Sequence, residues 1–141
     1  MSSCKILYVC QEITPYLAEN DMSTLCRTLS QSMQERGNEI RTFMPRYGLI
    51  KERRNQLHEV IRLSGMNLII DDNDHQLIIK VASIPSARVQ IYFIDNEDYF
   101  QRKFTLCDGE GSLFADNDER AIFFARGVLE TVKKLRWVPD V

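Results

Sequence analysis

The polar residues that could carry chemistry in this chain follow a strand-like run or open a helical pattern. They offer carboxylate, hydroxyl, amide and guanidinium groups, all of which hydrogen-bond to polar ligands. Spacing along a sequence gives no distance between carboxylates, so no acid–base pair and no catalytic residue is assigned. Residues of these types at such positions include Glu12 and Thr14 after the first strand-like run, and Asp116, Asn117 and Arg120 at the start of the last helical pattern.

Each candidate also has a structural interpretation, which the sequence leaves open. Glu12 and Thr14 would serve as well in side chain–backbone bonds that stabilise a loop. Asp116 or Asn117 would cap a helix. Arg120 would pair with Asp116 at a spacing of four residues.

Glu12 and Thr14 lie in a predicted unit of strand, loop, helix and strand. Residues 5–10 and 39–44 are strand-like, and residues 22–36 between them are amphipathic. A βαβ unit needs parallel strands and a right-handed crossover. Ligands of open α/β sheets bind outside the carboxyl ends of the strands. The loop at residues 11–21, which contains no glycine, is therefore the first expected site.

Two helices are predicted from apolar residues spaced by three and four positions. Asp21 or Ser23 is expected to cap the first helix, and Gly37 is expected to end it. The second helix opens with acidic residues 116–119 and closes with basic ones, as the helix dipole favours. The residues expected to face the core are Met22, Leu25, Cys26, Leu29 and Met33 in the first helix and Ile122, Ala125, Leu129, Val132 and Leu135 in the second.

The middle of the chain predicts an antiparallel insertion between the parallel strands, because its strand-like runs are separated by short turns. The acidic residues 71–74 form one such turn rather than a calcium loop, since the glycine and distal glutamate of that loop are missing. A second turn is predicted at residues 85–87. The strand-like runs are residues 66–70, 77–84 and 88–94.

Size and composition predict one ordinary globular domain. The chain has 141 residues, of which 44% are hydrophobic and 27% are charged. A net charge of −2 gives no sign of the basic surface that binds nucleic acid. No apolar run is long enough to span a membrane. The four cysteines and two histidines lack metal-ligand spacing, so we expect free thiols in a reducing cytoplasm and no metal or cofactor.

With these segments placed, the chain resembles the N-terminal part of the bacterial glycogen synthase and starch synthase family. Six segments carry the resemblance, in the family's order. They are residues 5–16 (KILYVCQEITPY), 35–41 (ERGNEIR), 45–48 (PRYG), 89–100 (VQIYFIDNEDYF), 116–120 (DNDER) and 123–130 (FFARGVLE).

The resemblance implies a GT-B fold, in which two Rossmann-like domains face each other. A nucleotide-activated glucose meets a growing α-1,4-glucan in the cleft, and glucose is transferred with retention. Glu12 and Thr14 match the family's first loop near the acceptor. Asp116, Asn117 and Arg120 match its acceptor-side motif.

The first loop departs from the family, which has Lys, any residue, Gly, Gly, Leu, Ala and Asp there. The positions that have lost these residues are Ala18, Asn20, Asp21 and Thr24. Glycines let backbone N–H groups approach a ligand, and a helix N-terminus then favours its phosphates. Because Glu19 and Asp21 place negative charge there instead, we expect this loop not to handle ADP-glucose or UDP-glucose.

The expected fold class is α/β, with a Rossmann-like parallel sheet flanked by helices and an inserted antiparallel β-hairpin. Residues 1–141 would form a single incomplete domain, with the family's His-Asp-Trp segment and second GT-B domain lying beyond Val141. Such a chain would not transfer glucose by itself. Alternatively, it would be a non-catalytic module that binds glucan or a protein, or itself through the surface left by the missing domain. An unrelated nucleotide-binding domain is disfavoured, because neither glycine-rich phosphate motif is present.

Overall fold

The computed structural model describes residues 2–85 and 87–141. Seven strands are present in this part of the chain, together with three α-helices and a 3-10 turn at Ile61–Leu63. The strands are β1 (Lys5–Val9), β2 (Glu39–Pro45), β3 (His58–Glu59), β4 (Asn67–Ile70), β5 (Asn73–Gln76), β6 (Ile78–Ile84) and β7 (Val89–Asp95). The helices are α1 (Asp21–Glu35), α2 (Glu97–Phe100) and α3 (Asn117–Lys134).

The main sheet has five strands in the order β1-β2-β7-β6-β3. Its first three strands are parallel, with Tyr8 opposite Thr42 and Thr42 opposite Ile91. β6 pairs antiparallel with β7 along its whole length, and β3 adds a short antiparallel edge. The predicted fold class is confirmed: an antiparallel excursion separates two neighbouring parallel strands.

Asp71 and Asp72 form the turn of a separate hairpin, β4–β5, whereas the rest of the predicted turn, residues 73–74, belongs to β5. Asp71 and Asp72 have φ angles of 49° and 62°, as a tight two-residue turn with left-handed residues requires. Arg126 of α3 donates from Nη1 to the carbonyl of Ile69 at 2.7 Å and ties this hairpin to the helix. No group of metal-ligating side chains occurs among the described residues. The other predicted turn contains Ser86, which lies outside the described residues.

α1 packs on the sheet through small residues rather than through its large apolar ones. Its fully buried residues are Ser23, Cys26 and Ser30. The predicted apolar face is therefore wrong except at Cys26, and Leu25 is 61% exposed. Small side chains let the helix approach the sheet closely, and the Ser30 hydroxyl is satisfied by the Cys26 carbonyl at 2.8 Å. Gly37 follows the end of α1 with a φ of 89°, as predicted.

The predicted apolar face of α3 is only partly correct. Val132 is buried as predicted, but Ile122 and Leu129 are exposed, whereas Phe123 is fully buried. Gly127 permits this close packing, because an added Cβ would lie 2.9 Å from Cγ2 of Ile94. The spacing of apolar residues correctly predicted both helices. Which face of each helix is buried depends on the elements that pack against it.

The core lies on both faces of the sheet and is rich in aromatic residues. Phe43 stacks on Tyr92 with ring centroids 4.9 Å apart, and Tyr16 meets Phe93 edge to face at 5.0 Å. Burying side chains of this size stabilises the fold by about 1.5–3 kcal/mol each. Trp137 is also buried, and its Nε1 donates to Oε1 of Glu39 at 2.9 Å.

β1 also has a backbone partner on the side away from β2. The Leu7 N–H donates to the Val141 carbonyl at 2.8 Å, and the Val141 N–H donates to the Lys5 carbonyl at 3.3 Å. This exchange is the hydrogen-bond pattern of parallel strands. Within the described residues, no helix combines the length and apolar character needed to cross a membrane.

Gly48 is the position where two backbone segments come closest. A Cβ at this residue would lie 2.1 Å from the carbonyl oxygen of Arg102, and backbone cannot yield as a flexible side chain can. We expect Gly48→Ala to lower the free energy of unfolding by about 1–3 kcal/mol, because the segment around Arg102 must move. Urea denaturation followed by circular dichroism measures this loss.

Gly109→Ala is the matched control for that substitution. Its new Cβ would lie 3.5 Å from Cζ of Phe104, which is ordinary van der Waals contact. We expect a smaller loss at this position. Equal losses in the two variants would show that the close approach at Gly48 is unimportant.

Candidate functional site

The carboxyl ends of the three parallel strands meet at one edge of the sheet. β1 leads into the loop at residues 10–20, β2 leads into Arg46, and β7 leads into Asn96. The predicted first loop and the start of α3 both border this edge, since Gln11, Pro45 and Asn117 line one common cavity. We call this region the carboxyl-edge site.

A network of buried charges holds this edge together. Arg46 Nη2 lies 3.1 Å from Oδ1 of Asp95, and Lys80 Nζ lies 2.9 Å from Oδ2 of the same carboxylate. Glu52 pairs with both Lys80 and Arg46. Although burial alone lowers it, the pKa of Lys80 is raised overall by hydrogen bonds to Glu52 and Asp95. The network therefore fixes the ends of β2 and β7 against β6.

The N-terminus of α1 is capped by Asn20. The Ser23 N–H donates to Oδ1 of Asn20 at 2.9 Å, and the Asn20 N–H donates to Oγ of Ser23 at 2.9 Å. This is a reciprocal capping box, and such a cap stabilises a helix by about 1 kcal/mol. The prediction that Asp21 or Ser23 is the cap is wrong, although Ser23 is the second member of the box.

Further hydrogen bonds join the first loop to the start of α1 around this cap. Oγ of Ser23 also donates to the Ala18 carbonyl at 3.0 Å, and the Thr24 N–H donates to the Asn20 carbonyl at 2.9 Å. Nδ2 of Asn20 donates to Oε2 of Glu12 at 3.3 Å. Asp21 is the first residue of the helix. Side chains therefore satisfy the backbone N–H groups of Asn20 and Ser23, and the carboxylates of Glu12 and Asp21 lie at the same helix end.

Asp116 binds Arg102 instead of capping α3. It occupies the N-cap position but makes no capping hydrogen bond. Arg102 donates from Nη1 and Nη2 to its two carboxylate oxygens at 2.7 and 2.6 Å. These bonds lower the pKa of Asp116 below its ordinary value. The alternative that Asp116 pairs with Arg120 is wrong, because within the described residues its ion-pair partner is Arg102.

Arg120 is buried and holds the segment between α2 and α3. Its Nε donates to the Tyr99 carbonyl at 2.8 Å, and its Nη1 donates to the Thr105 carbonyl at 2.7 Å. Nη1 also donates to Oδ1 of Asn117 at 2.7 Å. Asn117 in turn donates from Nδ2 to the Leu106 carbonyl at 2.9 Å. Arg120 and Asn117 are thus both held by hydrogen bonds to the segment that precedes α3. These two residues belong to the predicted acceptor-side motif.

A cavity of about 210 Å³ opens beside these residues. The structure brings Asn117 and Arg120 into its lining but leaves Glu12 and Thr14 outside it, elsewhere on the first loop. Sequence reasoning missed several lining residues, because nothing in their local pattern distinguishes them from core residues. These are Gln11, Pro45, Phe100, Leu106, Ala121 and Phe124.

Tyr47 is an aromatic residue that lines this cavity. Most of its surface is nevertheless buried in packing contacts. Burial raises the pKa of the Tyr47 hydroxyl, while a hydrogen bond with Gln11 acts in the opposite direction. The Tyr47 ring also lies 6.0 Å from Phe100, edge to face.

A parallel sheet with its polar edge at the carboxyl ends of the strands defines a Rossmann-like α/β domain. Residues 5–141 match the family described as "Starch synthase catalytic domain", and the chain belongs to that family. Two relatives are the glycogen synthases of Chlorobium limicola and Chlorobaculum tepidum. Each is 38% identical over 138 residues, covering 97% of this chain and 28% of the relative.

The fold is also similar to that of a solved structure, the catalytic domain of starch synthase IV from Arabidopsis thaliana bound to ADP and acarbose. The TM-score is 0.81 at 17% identity, covering 99% of this chain and 27% of that one. The similarity shows that this chain has the architecture of part of a GT-B catalytic domain. The chain spans 28% of the length of the curated relatives named above.

The Arg102–Asp116 pair makes stability depend on pH. Because Arg102 lowers the pKa of Asp116 below 3.8, the pair stabilises the fold above that pH and loses its contribution as the pH falls through the folded-state pKa. We expect Arg102→Gln to lower the free energy of unfolding at pH 7 and to have a smaller effect at about pH 3. Urea denaturation at both values measures the difference.

Lys133→Gln removes an exposed pair with Glu130 and serves as the control for loss of a positive charge. We expect it to change stability by less than about 1 kcal/mol. A penalty for Arg102→Gln that is the same at both pH values would contradict the coupling to Asp116.

Proposed function

We propose that this chain supplies the acceptor side of a glycogen or starch synthase fold. It binds α-1,4-glucan at the carboxyl-edge site, and by itself it does not transfer glucose from a nucleotide-glucose donor. In this proposal residues 1–141 form one N-terminal-type domain, and the second GT-B domain lies outside it. Transfer requires groups on both sides of the anomeric centre, so one side alone lacks the necessary transition-state stabilisation.

The observation that carries the proposal is the capping box at the start of α1. Asn20 and Ser23 satisfy each other's backbone N–H groups at 2.9 Å. Glu12 and Asp21 add carboxylates at the same helix end. The helix dipole favours a negative group there, but carboxylates already in place would repel a diphosphate. The loop thus retains its position at the sheet edge but offers no place for a donor's phosphates.

The acceptor residues are proposed from the same edge. Glu12 and Thr14 are half-buried on the first loop, close in sequence to Gln11, which lines the cavity. Asn117 lines that cavity from the first turn of α3. Asp116 and Arg120 shape the glucan surface by anchoring the preceding segment through Arg102, Tyr99 and Thr105.

A cytoplasmic location and self-association complete the proposal. The cysteines Cys4, Cys10, Cys26 and Cys107 are all free, which suits a reducing compartment. Met22, Leu25 and Leu29 are exposed at positions that share one face of α1. An apolar helix face of this kind favours contact with another protein surface, here a second copy of the chain.

Calorimetry with separate ligands tests the two halves of the proposal. We expect maltoheptaose to bind the chain, and ADP-glucose and UDP-glucose not to bind, because the cap occupies the phosphate position. Glu12→Ala should weaken maltoheptaose binding by about tenfold, equivalent to the loss of one charged hydrogen bond. Glu19→Ala, an exposed carboxylate on the same loop, should leave binding unchanged.

The triple variant Ala18→Lys, Asn20→Gly and Asp21→Gly restores the lysine and glycines of the family's loop. We expect it to bind ADP-glucose more tightly than the unmodified chain does. Donor binding to the unmodified chain that Asp21→Gly leaves unchanged would overturn the assignment of the loop. Absence of maltoheptaose binding would overturn the acceptor role.

Sedimentation equilibrium tests self-association. We expect Leu25→Glu to shift the chain toward monomer, because a buried unpaired charge is costly at an interface. Leu113→Glu makes the same change at a loop residue that is also exposed, and it should not alter the oligomer. A chain that is monomeric before substitution would contradict this part of the proposal.

A further inference from the structure

Arg120 is a buried cation without a carboxylate partner among the described residues. Only 3% of its surface is exposed. Its hydrogen bonds go to two backbone carbonyls and to the amide oxygen of Asn117, all of which are uncharged. Its Nη2 has no hydrogen-bond partner at all. Burying a charge in this way is costly unless it is paired.

The nearest carboxylate is already committed to another cation. Both oxygens of Asp116 accept from Arg102, so two guanidinium groups share one negative charge. Burial lowers the pKa of Arg120, and repulsion from Arg102 lowers it further. The rings of Phe114, Phe100 and Tyr47, with centroids 5.1, 5.4 and 5.8 Å from Cζ of Arg120, compensate only in part. Arg120 therefore has no carboxylate of its own among the described residues.

A cavity adjoins this cation. Its volume of about 210 Å³ is below the range of sites for drug-sized ligands and suits a body of about one ring. The walls are mainly apolar, from Tyr47, Phe100, Leu106 and Phe124. The polar groups in the lining are few, and Gln11 and Asn117 supply two of them. An apolar body with one charged end suits a lining of this composition.

We infer that the cavity binds a small organic carboxylate, whose apolar body fills the space between the aromatic rings and whose anion pairs with the free Nη2 of Arg120. A guanidinium and a carboxylate form short, charge-assisted hydrogen bonds. A single negative charge would give Arg120 the carboxylate partner that it lacks among the described residues. The inference does not depend on glucan binding or on the state of the donor loop.

Nη2 of Arg120 is buried, and the segment at residues 101–116 contacts the same guanidinium through the carbonyl of Thr105. Phe104 and Leu106 of this segment are partly exposed, and its backbone is outside helices and strands except for one isolated bridge at Cys107. A small outward movement at Leu106 therefore brings the carboxylate into contact with Arg120. Bound ligand in turn fixes this segment against α3.

Benzoate and benzamide are the matched probes, since they have the same ring but only benzoate is an anion. We expect benzoate to raise the Tm of the 141-residue chain in a concentration-dependent way and to shift amide NMR signals of residues around Leu106 and Asn117. Benzamide, and sodium chloride at equal ionic strength, should do neither. Inorganic phosphate should bind more weakly than benzoate, because it has no apolar body for the cavity.

Ala121→Leu blocks the cavity from the exposed side of α3 without removing a hydrogen bond, and it should weaken benzoate binding by about tenfold. Arg120→Met should abolish binding, with circular dichroism showing whether the fold survives. Arg102→Gln keeps Arg120 and frees Asp116 to pair with it, so it should also weaken binding. Absence of benzoate binding, equal binding of benzamide, or unchanged binding in Ala121→Leu would each overturn the inference.

Discussion

Parallel pairing of β1, β2 and β7 is the constraint on which the other features of this protein depend. It brings three strand ends to one edge of the sheet, where polar residues can converge although they are far apart in sequence. Asp95 at the end of β7 is then buried against Arg46 from β2 and Lys80 from β6. A buried carboxylate is tolerated only with such partners, so the same network that satisfies it also fixes the edge.

The first loop shows how side chains satisfy a helix N-terminus. The first N–H groups of a helix have no partner within the helix and need one from elsewhere. Asn20 forms a capping box with Ser23, so two of these backbone N–H groups are satisfied within the chain. The cap joins the first loop to α1 at the edge of the sheet.

Two guanidinium groups near the start of α3 have different partners. Arg102 takes the carboxylate of Asp116, while Arg120 takes neutral oxygens and stays buried among aromatic rings. This arrangement orders the long segment between α2 and α3 without a regular element in it. It also leaves the Arg120 guanidinium beside a cavity.

Local pattern alone determined the fold class, the βαβ opening, the antiparallel excursion and the glycine that ends α1. These follow from hydrophobic runs and turn residues, which act over a few positions. The ordered motifs of residues 5–16 through 123–130 were also enough to indicate the family, which the match over residues 5–141 confirmed. The proposed glucan contacts at Glu12 and Thr14 stay predictions from the same source.

The tertiary structure alone decided which helix faces are buried and which charges pair. Leu25 and Leu29 form the more apolar face of α1, yet Ser23, Cys26 and Ser30 meet the sheet, because close approach requires small side chains. Arg102 pairs with Asp116, where the sequence had suggested Arg120. Because Arg102 lies in a loop, it can approach this carboxylate from outside the helix. Sequence spacing describes neighbours within one element, whereas burial and ion pairing depend on the elements that pack against it.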